Sequence, residues 1–273
     1  MAGPPTDEEA LARAYNRGLE LEKAGDRTGA AAAYREVLQI DPEDHGGASV
    51  RLAAMGLGPV PDQAPAAYVA TLFDQNAEAF DDMLVEQLGY AVPMLLRERI
   101  DALGLGPWQR LLDLGCGTGL TGVSMADRAE EITGVDLSEA MLGEAHERDV
   151  YDALYVAEAT DFLAEADDGP WDLITATDVL PYIGDLAMFF RGVDRSLLPG
   201  GVLAVSSETL DDATLDGRPF LVGPKHRFAH AVDYILGLLA QHALAPLEVR
   251  PITVRYDEGT PVPGHLILAR KAP

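Results

Sequence analysis

A glycine-rich stretch at residues 111–122 could bind a ligand. An apolar run, Leu111-Leu112-Asp113-Leu114, leads into glycines at positions 115, 117 and 119, and a helix is predicted to follow. Glycine lets the backbone turn sharply and approach a ligand closely, and the start of a helix offers free N–H donors. The ligand-binding loop that we predict comprises Gly115, Cys116, Gly117 and Gly119.

Two classes of ligand suit such a loop. Residues 117–122 satisfy the G-x-G-x-x-G pattern, which holds a pyrophosphate in dinucleotide folds. Asp113 stands just before the first glycine, where a carboxylate would repel a pyrophosphate but suit a ligand with an amino group and a positive centre, such as S-adenosylmethionine. Asp136 ends the next apolar run and could accept both ribose hydroxyls of either ligand. It therefore indicates a nucleoside cofactor without choosing between the two.

Residues from about 68 to 271 resemble the class I S-adenosylmethionine-dependent methyltransferases. The resemblance rests on the Asp-x-Gly-x-Gly-x-Gly string at residues 113–119 and on Val135-Asp136-Leu137-Ser138 followed by Met141. It implies that the loop glycines contact the methionine part of the cofactor and that Asp136 holds the ribose. It also implies that Leu137 and Met141 pack on the adenine ring.

The resemblance extends to the next two predicted strands. It implies an acid at the adenine amino group, for which Glu158 aligns best and Asp161 competes, and a backbone N–H from Ala159. It also implies that residues 178–182 lie beside the transferable methyl group, which makes Asp178 a further cofactor contact. S-adenosylhomocysteine would be the product.

Catalysis of methyl transfer needs few special side chains. A sulfonium methyl group is already activated, so the protein mainly has to align an acceptor and exclude water. We expect Tyr182 and His230 to be the catalytic residues, with His230 able to accept a proton. The segment 225–230 forms a local cluster of positive charge that could hold an anionic acceptor. Alternatively, the cluster is solvated surface and His230 fills space or caps a helix.

A predicted helix at residues 68–82 carries aromatic and acidic side chains ahead of the first strand. In many small-molecule methyltransferases of the class that the chain resembles, such a helix closes over the cofactor. Phe73, Phe80 and Tyr90 would then belong to a helical lid spanning about residues 68–103. Phe73 and Phe80 are seven residues apart and share a helix face, so plain packing is the alternative.

The elements that must position these residues form an α/β pattern. Beyond Arg110, short apolar runs alternate with helix-length segments, which is typical of a doubly wound, mostly parallel, Rossmann-like sheet. The seven predicted strands are residues 110–114, 132–135, 153–156, 171–175, 202–206, 247–254 and 265–269. The last two are joined by a short turn, so we expect them to pair antiparallel at one edge.

Residues 1–60 have a different, helical character. The spacing of small and turn residues there resembles a tetratricopeptide repeat, with one repeat and the first helix of another. Since about three repeats are needed for a stable solenoid, this segment either packs on the rest of the chain or docks a protein partner. Residues 56–65 contain three prolines and two glycines, which predicts a linker between domains 1–60 and 61–273. The whole chain thus resembles a bacterial subgroup of predicted methyltransferases with such a segment.

Composition excludes several classes of function. Lys and Arg number 20 against 45 Asp and Glu, so the formal net charge is −25, which argues against a nucleic-acid partner. The single cysteine, Cys116, excludes a disulfide framework and a multi-cysteine zinc site, and we predict no metal. The sequence has neither a membrane-length apolar run nor a signal peptide at its start, so we expect a cytoplasmic protein without a membrane partner.

The leading hypothesis is a methyltransferase that acts on O, N or C of a small organic acceptor, which could be anionic. The alternatives are a module that binds S-adenosylmethionine or docks a protein without catalysis, a protein methyltransferase recruited by the helical segment, and an NAD-dependent oxidoreductase. DNA N-methylation is disfavoured, because Thr177-Asp178-Val179-Leu180 stands where the base-gripping Asn-Pro-Pro-Tyr string would be.

Overall fold

Three helices open the computed structural model, which describes residues 7–166 and 169–273. They are α1 (Asp7–Lys23), α2 (Arg27–Ile40) and α3 (Ala48–Ala54). Asp26 caps α2, because its side chain accepts the N–H of Gly29 at 2.9 Å. A Cβ on Gly18 would lie 2.6 Å from the ring of Tyr34, so glycine at this position allows α1 and α2 to pack closely. This packing agrees with the helix-turn-helix prediction, whereas the tetratricopeptide assignment itself stays a prediction.

The layer before the sheet is more broken than the single helix predicted for residues 68–82. It consists of α4 (Ala66–Asp74), a 3₁₀ turn (Ala77–Ala79), a π-helical turn (Asp82–Gln87) and α5 (Val92–Ala102). The side-chain amide of Asn76 donates to the carbonyl of Leu72 at 2.6 Å. This side-chain hydrogen bond competes with the backbone hydrogen bonds of the helix at the point where α4 ends. Phe73 and Phe80 nevertheless meet edge to face, with ring centroids 5.7 Å apart.

All seven predicted strands are present in one sheet. In chain order they are β1 (Trp108–Leu114), β2 (Ala129–Asp136), β3 (Ala153–Val156), β4 (Trp171–Ala176), β5 (Leu197–Glu208), β8 (Leu244–Asp257) and β9 (Thr260–Lys271). Strands β6 (Phe220–Val222) and β7 (Phe228–His230) lie between β5 and β8 in the chain and form a separate two-stranded sheet. The sheet order is β3-β2-β1-β4-β5-β9-β8. The first five strands run parallel, while β9 pairs antiparallel with both β5 and β8. The prediction of an antiparallel edge pair is therefore confirmed.

Helices cover both faces of this sheet. They are α6 (Leu120–Met125), α7 (Glu139–His146), α8 (Ala159–Glu165), α9 (Ala187–Ser196), the short α10 (Asp212–Leu215) and α11 (Val232–Gln241). Alternate residues of β1 point to opposite faces, so Leu112 packs in the core under α8, α9 and α11, while Leu111 packs in the core under α5 and α6. Two apolar layers thus hold the sheet rigid beneath the ends of its strands.

A small hairpin contains part of the basic segment 225–230. It consists of β6 (Phe220–Val222) and β7 (Phe228–His230), which pair antiparallel. Val222 and Phe228 bury their side chains against Val50 and Ala53 of α3. The hairpin forms because its apolar side chains pack on the helical front, which is the name used for helices α1 to α3. Because this contact joins distant parts of the chain, the sequence of the hairpin alone does not reveal it.

The segment 56–65 contains no helix, as predicted, but it does not behave as a free linker. The carbonyl of Asp62 accepts the N–H groups of Gly184 and Asp185, both at 2.8 Å. The N–H of Ala64 donates to the carbonyl of Tyr182 at 2.8 Å, next to an isolated bridge between Gln63 and Ile183. The segment is therefore bonded to the turn that follows β4.

Candidate active site

A cleft opens at the carboxyl ends of β1 to β4, where ligands bind in doubly wound sheets. It encloses about 910 Å³ of empty space, a volume that includes open solvent at its mouth. The side next to the sheet is lined by residues 115–118, 120–121, 136–137, 157–159, 177–179 and 182–183. The facing side is lined by Gln63, Ala64, Val69, Phe73, Phe80, Leu84, Tyr90 and Pro93.

The glycine loop forms the floor of the cleft. Gly115 and Gly117 line it with positive φ angles of 59° and 53°. A Cβ on Gly115 would collide with the side chain of Val179, so only glycine fits where the loop passes the end of β4. Cys116 also lines the cleft, and burial raises the pKa of its thiol, which keeps it protonated. Gly119 begins α6 and does not line the cleft.

Asp136 lies where the sequence predicts it, at the end of β2 and facing the cleft. Its Oδ2 accepts the N–H of Gly117 and its Oδ1 that of Ser138, both at 2.9 Å. Burial raises the pKa of this carboxyl. Leu137 lines the cleft as expected, but Met141 does not: it is fully buried in the first turn of α7 and supports that turn from behind.

Asp113 is corrected from a cofactor contact to a supporting residue. It is fully buried beneath the loop and does not line the cleft. Its carboxylate accepts hydrogen bonds from the hydroxyls of Tyr151 and Thr175, both at 2.8 Å. Burial raises the pKa of Asp113 to about 6. The alternating pattern of β1 places this side chain inside the fold, where the two hydroxyls and the backbone of Gly122 bond to it.

Glu158 and Ala159 line the cleft at the end of β3, as predicted. Glu158 also caps α8, since its Oε2 accepts the N–H of Asp161 at 2.9 Å. Burial raises the pKa of Glu158. Asp161, the competing acid, does not line the cleft.

A buried charge network stands behind the fourth strand. Asp178 lines the cleft with a φ of 62°, and its N–H donates to Oγ of Ser206 at 2.8 Å. Arg227 donates to the carboxylates of Asp178 and, at 2.7 Å, Glu208, while Arg255 donates to Glu208 at 2.5 Å. Burial raises the pKa of Asp178, and Arg227 opposes that rise. Two acids and two arginines thus neutralise one another.

Tyr182 lines the cleft on the 3₁₀ turn Leu180–Tyr182. Arg227 donates a hydrogen bond to its hydroxyl oxygen and lies 4.7 Å from the centre of its ring. Burial raises the pKa of the phenol, so Tyr182 is protonated at neutral pH. Its hydroxyl can therefore donate a hydrogen bond into the cleft, but it is not a base.

The structure contradicts the expected catalytic role of His230. This side chain is fully buried in β7 and does not line the cleft. Its Nε2 lies 2.9 Å from the carbonyl oxygen of Ile183 and 3.1 Å from that of Gly184, so Nε2 carries the hydrogen and donates. Burial lowers the pKa of His230 to about 4. The alternative weighed above, that His230 fills space, describes its position.

The basic segment 225–230 does not form an anion site either. Lys225 pairs with Asp257 at 3.2 Å, and His226 reaches Glu22 of α1 at 3.4 Å. Arg227 turns inward to the network already described. Because the hairpin twists successive side chains in different directions, Lys225, His226 and Arg227 have separate acidic partners.

The helical lid is fastened to the sheet side of the cleft by two acids. Asp74 accepts the hydroxyl of Ser138 at 2.5 Å, at the start of α7. Asp81 accepts the hydroxyl of Thr118 at 2.5 Å and a hydrogen bond from Arg148. These contacts place Phe73 and Phe80 over the cleft.

Several lining residues escape sequence reasoning. Gln63 and Ala64 come from the segment interpreted as a linker, and their proline-rich surroundings give no sign of a binding role. Thr121 and Thr177 share a hydrogen bond of 2.8 Å across the floor of the cleft. Thr177 could have been found, because it directly precedes Asp178 at the end of β4.

Neither a membrane span nor a metal centre is found within residues 7–166 and 169–273. Every helix there is too short or too polar to cross a bilayer. No three His, Cys, Asp or Glu side chains in these ranges come together as metal ligands would.

The sheet order and the cleft define the fold of S-adenosylmethionine-dependent methyltransferases. An N-methyltransferase, NodS from Bradyrhizobium japonicum WM9, in complex with S-adenosyl-L-homocysteine, superposes with a TM-score of 0.57 at 17% identity, over 74% of this chain and 98% of that one. A DhpI–SAH complex superposes with a TM-score of 0.54 at 19% identity, over 76% and 97% of the two chains. At these identities the likeness establishes the fold alone.

Sequence comparison identifies the domain more closely. Residues 112–205 match the family described as "Methyltransferase domain". A ubiquinone biosynthesis O-methyltransferase of Alkalilimnicola ehrlichii is 33% identical over 119 residues, 42% of this chain and 48% of the relative. One of the same name from Pseudomonas aeruginosa is 32% identical over 102 residues, 36% of this chain and 44% of the relative. The matched region thus spans about half the length of these curated relatives.

Proposed function

We propose that the protein is a methyltransferase that uses S-adenosylmethionine and transfers its methyl group to O, N or C of a small organic acceptor. One observation carries the proposal: a single cleft joins the glycine loop, Asp136 and Glu158 on one side to Tyr182 and an aromatic lid on the other. The first set suits a nucleoside cofactor, and the second leaves space for another molecule beside it.

The residues on the sheet side fit the cofactor. Asp136 uses one acceptor position of each oxygen on backbone N–H groups, and a carboxylate has about four, so lone pairs remain for the ribose hydroxyls. Leu137 offers an apolar contact for adenine, and Glu158 an acceptor for its amino group. The bare backbone of Gly115 and Gly117 allows the methionine part to approach closely.

When bound, the cofactor supplies a methyl group on a positively charged sulfur, which needs no further activation. A lone pair of the acceptor forms a bond to the methyl carbon while the carbon–sulfur bond breaks, and its electron pair stays on sulfur. The chain aligns the two molecules and excludes water by holding the lid closed. Because His230 lies outside the cleft and Tyr182 keeps its proton, neither side chain serves as the base, and the proton displaced from the acceptor is released to solvent at the mouth of the cleft.

Ligand binding and turnover test the proposal separately. Titration calorimetry should show binding of S-adenosylhomocysteine and none of NAD, and saturating S-adenosylhomocysteine should raise the melting temperature. Binding of NAD alone would replace the methyltransferase with an oxidoreductase. Labelled S-adenosylmethionine and a panel of small hydroxyl, amino and thiol compounds should yield labelled product. Binding without turnover on any acceptor would instead support a non-catalytic binding module.

Two further parts of the proposal concern the setting of the protein. We propose a cytoplasmic location, because the only thiol, Cys116, lies in the ligand loop and must stay reduced. We also propose that the helical front could dock a protein. Its exposed face on α1 and α2 is available for a partner, while α3 is occupied by the hairpin.

A further inference from the structure

We propose that the acceptor is an uncharged molecule with an apolar ring, held against the aromatic lid next to Tyr182. This inference rests on the proposed function and names the substrate class of the same cleft. It replaces the anionic acceptor that the basic segment 225–230 suggested.

The side of the cleft away from the cofactor residues is built from flat and aliphatic groups. Phe73 contacts both Phe80 and Tyr182 edge to face, with ring centroids 5.7 and 5.4 Å apart. Leu84 and Tyr90 are nearly fully buried and complete this wall. Such surfaces favour a planar apolar ligand, because aromatic pairs prefer edge-to-face or offset packing and burial removes apolar area from water.

The charges around the cleft disfavour an anion. Among the described residues, the charged side chains that line it are Asp136, Glu158 and Asp178, all of them acidic. Arg227, the nearest guanidinium, already donates to Asp178, Glu208 and Tyr182. A bound anion would lose its hydration and meet no cation of the protein in return.

A cationic acceptor is disfavoured for a different reason. Asp136 and Glu158 belong to the part of the cleft that suits the cofactor, and the charge of Asp178 is neutralised by Arg227. An acceptor cation would also lie close to the positive sulfur of the cofactor and be repelled by it.

The remaining polar groups suit a neutral hydroxyl or carbonyl. Arg227 donates to the hydroxyl oxygen of Tyr182, so this hydroxyl keeps its own hydrogen for an acceptor. Gln63, which lies near Tyr182 through its bridge to Ile183 and is exposed to solvent, offers a second neutral partner.

Three naphthalene probes that differ only in their charged or neutral group test the inference. Calorimetry at pH 7 on the protein saturated with sinefungin, a cofactor analogue that carries a positive charge where S-adenosylmethionine carries its methyl sulfonium, should show 2-naphthol binding about tenfold or more tightly than 2-naphthoate and than protonated 2-naphthylmethylamine. Equal or tighter binding of either ion, or no binding of 2-naphthol, would overturn the neutral-ring acceptor. Absence of S-adenosylhomocysteine binding in the first titration would instead overturn the proposed function.

A lid variant locates the ring. Phe80→Ala should weaken 2-naphthol binding about tenfold and S-adenosylhomocysteine binding much less, and a retained cooperative melting transition shows that the variant folds. Met94→Ala is the matched control, because Met94 lies in the same helical layer but is 72% exposed. Unchanged 2-naphthol affinity in Phe80→Ala would refute the proposed position of the ring.

Discussion

At the scale of single residues, Asp136 shows how one side chain can serve both the fold and the ligand. Its carboxylate ties the glycine loop to the turn after β2 through Gly117 and Ser138. The same oxygens face the cleft with lone pairs still open. The loop is thereby held in place before any ligand arrives.

Removal of this carboxylate should weaken cofactor binding. Asp136→Ala is expected to reduce the affinity for S-adenosylhomocysteine by about 1–3 kcal/mol, because two hydrogen bonds to the ribose are lost. Titration calorimetry measures the effect, and Glu147→Ala, an exposed acid just after α7, serves as control. Wild-type affinity in Asp136→Ala would contradict the assignment.

His230 should affect acid stability rather than turnover. Its pKa of about 4 lies below the ordinary 6.5, so between these pH values the unfolded chain binds a proton that the folded chain does not. The free energy of unfolding therefore falls as the pH drops through this window, by at most about 3 kcal/mol. In His230→Gln this contribution is absent, while the amide can still donate to the carbonyl of Ile183.

Urea unfolding at pH 7, 6, 5 and 4 compares the two proteins. The variant should gain stability relative to the wild type as the pH falls, and it should keep its methyl-transfer rate at pH 7. A large loss of the transfer rate at unchanged stability would restore His230 to a catalytic role.

At the scale of elements, the lid depends on polar contacts to the sheet side of the cleft. Asp81 is the central one, because it accepts from Thr118 of the glycine loop and from Arg148. Arg148 in turn donates to the carbonyl of Thr118 at 2.9 Å. Loop and lid are thus coupled through one carboxylate.

Asp81→Ala should loosen the lid without unfolding the sheet. Amide hydrogen exchange followed by mass spectrometry should become faster over residues 77–90 and stay unchanged in β1 and β4. S-adenosylhomocysteine should also dissociate several times faster. The neighbouring Asp82→Ala, at an exposed position, provides the control. Identical exchange in both variants would mean that apolar packing alone closes the lid.

Sequence reasoning succeeded for features set by local pattern. The strands and Asp136 follow from apolar runs and from the position of an acid after β2. It failed where a distant partner decides the outcome: His230 is turned inward by the carbonyls of Ile183 and Gly184, 46 or more residues away. Asp113 and Met141 stand at the expected positions of the motif, but the packing around them turns both side chains into the interior and away from the cleft.

At the scale of the whole molecule, the net charge of −25 works against compactness. Internal ion pairs such as Arg227 with Asp178 and Glu208 use some of the few basic side chains. The remaining charged side chains are therefore mostly acidic. Repulsion between these acids acts over a distance that salt shortens, from about 30 Å at 0.01 M to about 10 Å at 0.1 M.

Salt should therefore stabilise the protein. We expect the melting temperature at pH 7 to rise by several degrees between 0.01 M and 0.3 M sodium chloride, as measured by calorimetry. Choline chloride at the same ionic strength should have the same effect, which distinguishes screening from a specific sodium site. A fall in melting temperature would mean that surface ion pairs such as Arg97 with Asp127 outweigh the repulsion.

The bonds from residues 62–64 to the turn after β4 limit how freely the two parts of the chain can be recombined. The wall that contains Gln63 and Ala64 belongs to the segment 56–65, which joins the three opening helices to the rest of the chain. A methyltransferase half excised at residue 65 and fused to a foreign partner would carry an incomplete pocket. The opening helices, the segment 56–65 and the sheet therefore form one structural unit, in which a change at the join also changes a wall of the cleft.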